Sequence, residues 1–299
     1  MKYAIITTCK GRLEHLKQSL PKFCAFPQAE VIVVDYACPE QSGQWVRQSH
    51  PSVKVVFAED GGAFNACRAR NLGAGQSTAE ILIFADADTL IDPGAATEID
   101  AKLQPGTYGV VEVEADDQLQ DDLRGTCMVY RADFDRAGGY DEYLKGYAME
   151  DIDLYDRLNC LDLKPVTISL KWFGAIKHAD DLRMTYRGGR KEISQLVSLL
   201  YRRYIGAVRR MQRKPQADAE VRELIYRQSE QLVMRLIEAR DPSGGVQIGL
   251  AIPVAQQADA FGNDMVFEFQ LQLKMRPRDA AGFSRRYGQR KPHPPYLAR

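Results

Sequence analysis

Four short apolar runs constrain this chain most: Tyr3-Ala4-Ile5-Ile6-Thr7, Val31-Ile32-Val33-Val34, Val53-Lys54-Val55-Val56-Phe57 and Ile81-Leu82-Ile83-Phe84-Ala85. Each is strand-length and mostly non-alternating, the pattern of strands covered on both faces. Helical spacing lies between several of them, as in Leu13, Leu16, Leu20 and Phe23. Strands alternating with helices indicate an α/β architecture with a largely parallel sheet. A helix is expected to start after Asp92-Pro93, with the proline at its first position. Further strands are expected at Tyr108 to Val113 and Thr126 to Tyr130, and a short helix from Ala132 to Ala137.

Open sheets of this kind bind ligands beyond the carboxyl ends of their strands. This chain places Asp35, Asp60, Asp86 and Asp88 there. Asp86-Ala87-Asp88 follows a buried run directly, so two carboxylates emerge together on a turn, as suits a hard divalent cation that also takes phosphate oxygens. His178 follows another apolar run, Trp172 to Ile176, and reads either as a surface residue or as a further metal ligand. Arg68, Arg70 and Asn71 sit on a helical stretch, where an arginine fork pairs with phosphate or with a strand-end aspartate.

The segment from Gly138 to Leu154 joins two glycines, several aromatics and the acids Glu150, Asp151 and Asp153. Such acids repel one another unless they meet water, metal or hydroxyl-rich ligands. They also suit a plain helix start, near the positive end of the dipole of a helix through Leu154, Leu158 and Leu161. Local sequence leaves both readings open.

The 299 residues suffice for one large domain, or for a domain plus an extension. Hydrophobic residues at 45% and charged ones at 27% exclude disordered and fibrous classes. The net charge of zero hides an asymmetry: residues 1–182 carry 18 Lys and Arg against 29 Asp and Glu, and the remainder carries 22 against 11. Either the basic half docks on the acidic half, or it faces an anionic partner such as a membrane surface or a charged glycan.

Beyond Arg183 two helices are expected, one through Ile193, Leu196, Leu200, Tyr204 and Val208 and one through Val221, Leu224, Ile225, Leu232 and Leu236. A terminal hairpin is expected from Val246 to Ile252 and Met265 to Met275, then an extended tail with Pro292, Pro294 and Pro295. The basic stretch Arg202, Arg203, Arg209, Arg210, Arg213 and Lys214 suits peripheral contact with anionic lipid, or more plainly a solvated face or a contact in a homo-oligomer. Six cysteines without a C-x-x-C pair, and no long apolar leader, are read as free thiols in a cytoplasmic protein. No nucleic-acid partner is expected.

Taken in order, Asp35, Arg70-Asn71-x-Gly73, Asp86-x-Asp88 and Gly138-Gly139-Tyr140-Asp141-Glu142 followed by Glu150-Asp151-x-Asp153-Leu154 resemble the GT-A glycosyltransferases. The likeness is nearest to family 2 enzymes carrying a galactosyltransferase-type C-terminal motif, and it spans about residues 1–180. It implies a Rossmann-like, mixed but mainly parallel sheet with helices on both faces. The catalytic domain would be 1–182 and the basic helical extension, with its hairpin and tail, 183–299.

The resemblance also implies roles. Asp35 would contact the uracil of a UDP-sugar, with Thr8 and Arg12 as further nucleotide contacts, and Arg70 would position the nucleotide or the aspartates. Asp88 would bind Mn2+ or Mg2+, with Asp86 near the ribose or donor sugar and His178 completing the metal shell. Asp151 corresponds to the catalytic base, with Glu150 and Asp153 orienting sugar hydroxyls beside Gly146 and Tyr147. Tyr36 stands where many members have a second acid, and Gly146-Tyr147 replaces the usual glycine-tryptophan, although tyrosine also stacks on a sugar face.

The expected activity is metal-dependent, inverting transfer of a hexose or N-acetylhexosamine from a UDP-sugar to a glycan or glycolipid. At the helix start Asp151 is expected to be ionised at neutral pH. Two rivals stand beside this reading. A nucleotidyltransferase would need a glycine-rich phosphate loop with a lysine, which Cys9-Lys10-Gly11-Arg12 matches poorly. A non-catalytic nucleotide- or sugar-binding module would not need both Asp88 and Asp151.

Overall fold

The structure is a computed structural model describing residues 1–58, 62–113, 123–147, 149–178, 184–238, 246–253 and 266–273. Asp60, Asp180, Asp181 and the proline-bearing tail lie outside the described residues. The order of elements begins β1 (Tyr3–Cys9), α1 (Leu13–Cys24), β2 (Ala29–Asp35), α2 (Ser42–Ser49), β3 (Lys54–Phe57), α3 (Ala66–Ala74) and β4 (Ile81–Phe84). It continues with β5 (Thr89–Ile91), α4 (Ala95–Lys102), β6 (Thr107–Val111), β7 (Cys127–Tyr130), α5 (Arg131–Arg136) and α6 (Glu150–Cys160). Then follow β8 (Lys164–Ile168), a 3-10 turn (Leu170–Trp172), β9 (Phe173–Ala175), α7 (Lys191–Gln212), α8 (Ala219–Glu238), β10 (Val246–Pro253) and β11 (Val266–Leu273).

Seven strands form one sheet in the order β3-β2-β1-β4-β7-β6-β8. β7 is antiparallel to both its neighbours, and the other pairings are parallel. The mixed, mainly parallel sheet of the sequence reading is therefore present. The reversal of β7 has a local consequence: Cys127 pairs with Phe84, so the start of β7 lies level with the end of β4 and brings Gly125 beside Asp86.

Several boundaries differ from expectation. Pro93 precedes α4 instead of opening it, because the Asp92 carboxylate accepts from Gly94 N–H at 2.8 Å and closes a turn ahead of the helix. β8 was not foreseen; its Lys-Pro-Val-Thr-Ile sequence is tolerated because it is an edge strand, where proline costs no inner ladder bond. The terminal hairpin is present, with Val246 opposite Leu273 and Pro253 opposite Val266.

The core has two main parts. Leu16, Leu20, Phe23, Ile83 and Ile99 belong to one cluster; Ile6, Phe84, Tyr140, Leu154, Leu158, Tyr201, Ile205 and Ile225 belong to the other. The second cluster joins the helices of the C-terminal part to the sheet. Fully burying side chains such as Ile205 and Ile225 contributes about 1.5–3 kcal/mol each. The glycine of Arg70-Asn71-x-Gly73 has a packing cause: a Cβ there would lie 2.5 Å from Ile6 Cγ2, so only glycine lets α3 rest on the sheet at this height.

Candidate active site

β4 delivers the Asp86-x-Asp88 turn to the carboxyl edge of the sheet. Asp86 accepts a hydrogen bond from Arg70 at 2.7 Å and keeps its side chain 44% exposed. Asp88 is more enclosed and approaches His178 Nε2 at 3.0 Å and Arg12 at 3.7 Å. His178 arrives because β9 pairs antiparallel with β5 and Ile176 N–H then donates to the Asp88 carbonyl at 2.8 Å. Burial disfavours the charged form of Asp88, but the His178 hydrogen bond and the Arg12 guanidinium outweigh it and hold the carboxyl below its usual range. His15, absent from the sequence reading, stacks at a tilt on His178 with centroids 5.6 Å apart.

Asp88 and His178 thus converge as an oxygen and a nitrogen donor, which could share a divalent cation if a ligand supplies the rest, the imidazole fitting a transition-metal ion better than magnesium. Among the described residues no group of three or more His, Cys, Asp and Glu side chains gathers as a ready cage. Asp86 stands apart from the pair, turned to Arg70.

Asp35 organises the loop after β2. Its carboxylate accepts from Cys38 N–H at 2.7 Å, Gly43 N–H at 2.6 Å and the Ser42 hydroxyl at 3.1 Å, and the residue is only 3% exposed. Both oxygens thus hold the turn into α2. Thr8 is buried near the end of β1, and Arg12 joins the Asp88 cluster.

Arg70, 3% exposed, bridges the donor edge to the second acidic segment. It pairs with Asp86, comes within 3.6 Å of Glu150 and lies over the Tyr140 ring at 5.1 Å. Burial opposes its charge, yet Asp86, Tyr140 and Glu150 raise its pKa well above the ordinary value. Asn71 clamps the glycine turn: its side chain accepts from Tyr140 N–H at 2.8 Å and donates to the Tyr140 carbonyl and to Glu142, each at 2.9 Å. Gly139, with φ +68°, leaves the room this clamp needs, since a Cβ would lie 2.8 Å from Asn71 Oδ1.

α6 begins at Glu150, after Met149 in the left-handed region with φ +79°. Its three acids have three environments. Glu150 lies between Arg70 and Arg187, at 3.6 and 4.0 Å. Asp151 keeps intermediate exposure, but desolvation of its carboxyl and the neighbouring Glu150 charge push its pKa up to about 7. This corrects the expectation of an acid held ionised by the helix start: burial and like charge exceed the backbone N–H and Arg70 contributions.

Asp153 is fully buried, with its carboxylate turned to two arginines. It binds Arg157 at 2.9 Å and Arg209 at 2.5 Å, and these guanidiniums outweigh burial to lower its pKa. Asp141, equally buried, accepts from the Tyr201 hydroxyl at 2.6 Å, Arg209 at 3.1 Å and Arg222 at 3.0 Å. Part of the basic half does dock on the acidic half. Of the basic stretch along α7 and just past its end, Arg209 is buried, Arg202 pairs with Asp156 at 2.9 Å, and Arg203, Arg210, Arg213 and Lys214 are exposed.

Gly146 and Tyr147 lie against α7. The Gly146 carbonyl accepts from Arg187 at 2.8 Å, and Tyr147 N–H donates to Ser194 Oγ at 2.6 Å. Arg187 and Lys191 approach the Tyr147 ring to 5.5 and 5.0 Å from its centroid. Arg187, Ser194 and His15 were missed because nothing in their own neighbourhoods marks them; only tertiary approach brings them here.

Residues 4–126 match the profile of the family described as Glycosyl transferase family 2, a stretch that includes Asp86 and Asp88 and ends before Glu150. Among solved structures, the chain is similar to S. aureus TarS 1–349 in complex with UDP-GlcNAc, with a TM-score of 0.55 and 16% identity over 80% of this chain and 74% of that one. It is also similar to the mannosyltransferase PcManGT from Pyrobaculum calidifontis in complex with GDP-Man and Mn2+, with a TM-score of 0.50 and 13% identity over 81% and 76% of the two chains. No curated protein sequence matches. The fold is the GT-A type of α/β fold, and the family match supports a glycosyltransferase.

Proposed function

We propose that the protein is a metal-dependent, inverting glycosyltransferase that moves a hexose or N-acetylhexosamine from a UDP-sugar to a glycan or glycolipid acceptor. The observation that carries the reading is the apposition, through Arg70, of the D-x-D turn at Asp86 and the acidic helix start at Glu150, whose neighbour Asp151 has a pKa pushed up to about 7. The nucleotide-sugar complexes of the two similar structures support the donor class.

Asp88 and His178 would hold the metal, the diphosphate and water filling its remaining positions. A bound manganese or magnesium would stabilise negative charge on the departing diphosphate. The chain's own residues do the rest. Arg12 and Arg70 set positive charge along the diphosphate side of the cleft, and Arg70 keeps Asp86 oriented at 2.7 Å. Asp151 accepts the proton of the acceptor hydroxyl as that oxygen attacks the anomeric carbon; a base titrating near the working pH is matched to this transfer. Glu150 raises the basicity of Asp151 and, with Tyr147, borders the acceptor side.

The test is UDP release from a panel of UDP-sugars with and without manganese, comparing wild type with Asp88→Ala and Asp151→Asn. Metal-dependent release lost in both variants is expected. Binding of UDP without turnover would favour a non-catalytic nucleotide-binding module.

A further inference from the structure

α7 reaches the cleft at its first turns as well as at the buried end of the acidic segment. Ser194 is the residue of contact. Its hydroxyl oxygen accepts from Tyr147 N–H at 2.6 Å, and a Cβ placed on Gly146 would lie 1.8 Å from that same oxygen. A side chain at position 146 would meet the Ser194 hydroxyl where it now bonds Tyr147, a few residues ahead of Asp151. Arg187 and Lys191 lie about the ring of the tyrosine so held. Exposed serines on helices do not need glycine partners; this one has a defined backbone target.

We propose that Ser194 is a positioning residue for the acceptor side of the cleft. Through its hydrogen bond to Tyr147 N–H and its close approach to Gly146, it fixes the Tyr147 ring relative to Asp151 so that an acceptor sugar can lie between them. The assignment rests on the glycosyltransferase reading. It makes the first turns of the C-terminal helices part of the acceptor site instead of an appendage. Donor binding, at the Asp88 and Arg12 end, is outside its reach.

The experiment uses the full chain, the UDP-sugar that wild type turns over fastest, and octyl β-D-glucoside and octyl β-D-galactoside as acceptor probes. Ser194→Ala should raise acceptor KM about three- to tenfold, the loss of one hydrogen bond, with donor KM unchanged and the thermal midpoint within about 5 °C of wild type. Gly146→Ala should impair acceptor use alone but add little in the Ser194→Ala background, where the nearest remaining side-chain atom would be the residue 194 Cβ, 3.1 Å from the added methyl. Additive losses, or an unchanged acceptor KM, would overturn the proposal. A second arm needs no turnover: in protein labelled with 3-fluorotyrosine, the Tyr147 resonance, assigned with Tyr147→Phe, should shift in Ser194→Ala, and an unmoved resonance would likewise overturn it. Wild type releasing no UDP from any donor would instead sink the glycosyltransferase reading, while the fluorine arm still decides whether Ser194 places Tyr147.

Discussion

Asp151 and Asp153 stand two residues apart on α6 and belong to two different regions. Asp151 keeps intermediate exposure, and its pKa rises to about 7 through desolvation and the Glu150 charge. Asp153 points into a knot of Arg157, Arg209 and the Asp141 partners, and its pKa falls. Both carboxyls are desolvated; what separates them is the placement of guanidinium groups. A single motif thus holds one acid whose charge is disfavoured and one whose charge is stabilised by guanidinium groups.

The comparison breaks most sharply at Asp151→Asn. Turnover should fall about 10²- to 10⁴-fold, as for loss of a general base, while the thermal midpoint at pH 8 should rise. The sign follows from linkage: a carboxyl whose folded pKa is raised contributes stability at low pH and loses it as pH climbs from the unfolded value toward about 7. An asparagine removes that loss. A midpoint that drops would count against the desolvated carboxyl.

Behind the cleft the effect should reverse. Arg209→Met leaves Asp141 and Asp153 short of a buried partner and should cost about 3–5 kcal/mol in urea unfolding. Acid should act in the same direction, because the depressed pKa of Asp153 contributes stability above its unfolded value that is lost as pH falls through the folded one. At Gly73, alanine should cost about 1–3 kcal/mol by overpacking against Ile6. A cost below that range would mean that α3 can lift from the sheet.

Smaller effects sharpen the picture. The pH profile of kcat/KM should rise to a plateau with its midpoint near 7, and Glu150→Gln should move that midpoint to lower pH by removing a like charge. Arg203→Ala, at an exposed position on α7, should change stability by no more than about 0.5 kcal/mol. Loss of binding to anionic vesicles in that variant would assign its face to a membrane surface.

The sheet was legible because β1, β2 and β4 are short apolar runs, β2 and β4 with acids at their carboxyl ends, and period and position suffice to read those. β5 and β8 escaped: one has three residues, and the other carries Pro165 on an edge. The site was legible where side chains follow strand ends, as Asp88 does. It was illegible where neighbours come from elsewhere in the chain. Local sequence does not show that the Asp35 carboxylate accepts from the backbone N–H groups of residues 38 and 43. Nothing near Asp153 announces that Arg209, 56 residues later, will cover it.

That separation has a consequence for how the chain is made. During synthesis from the N-terminus, the Asp141 and Asp153 segment is complete long before Arg209 and Arg222 leave the ribosome. Until then Asp141 lacks Tyr201, Arg209 and Arg222, and Asp153 has only Arg157 of its two guanidinium partners. A chain stopped at residue 182 is expected to remain in that unfinished state, recovered as aggregate or as a chaperone client.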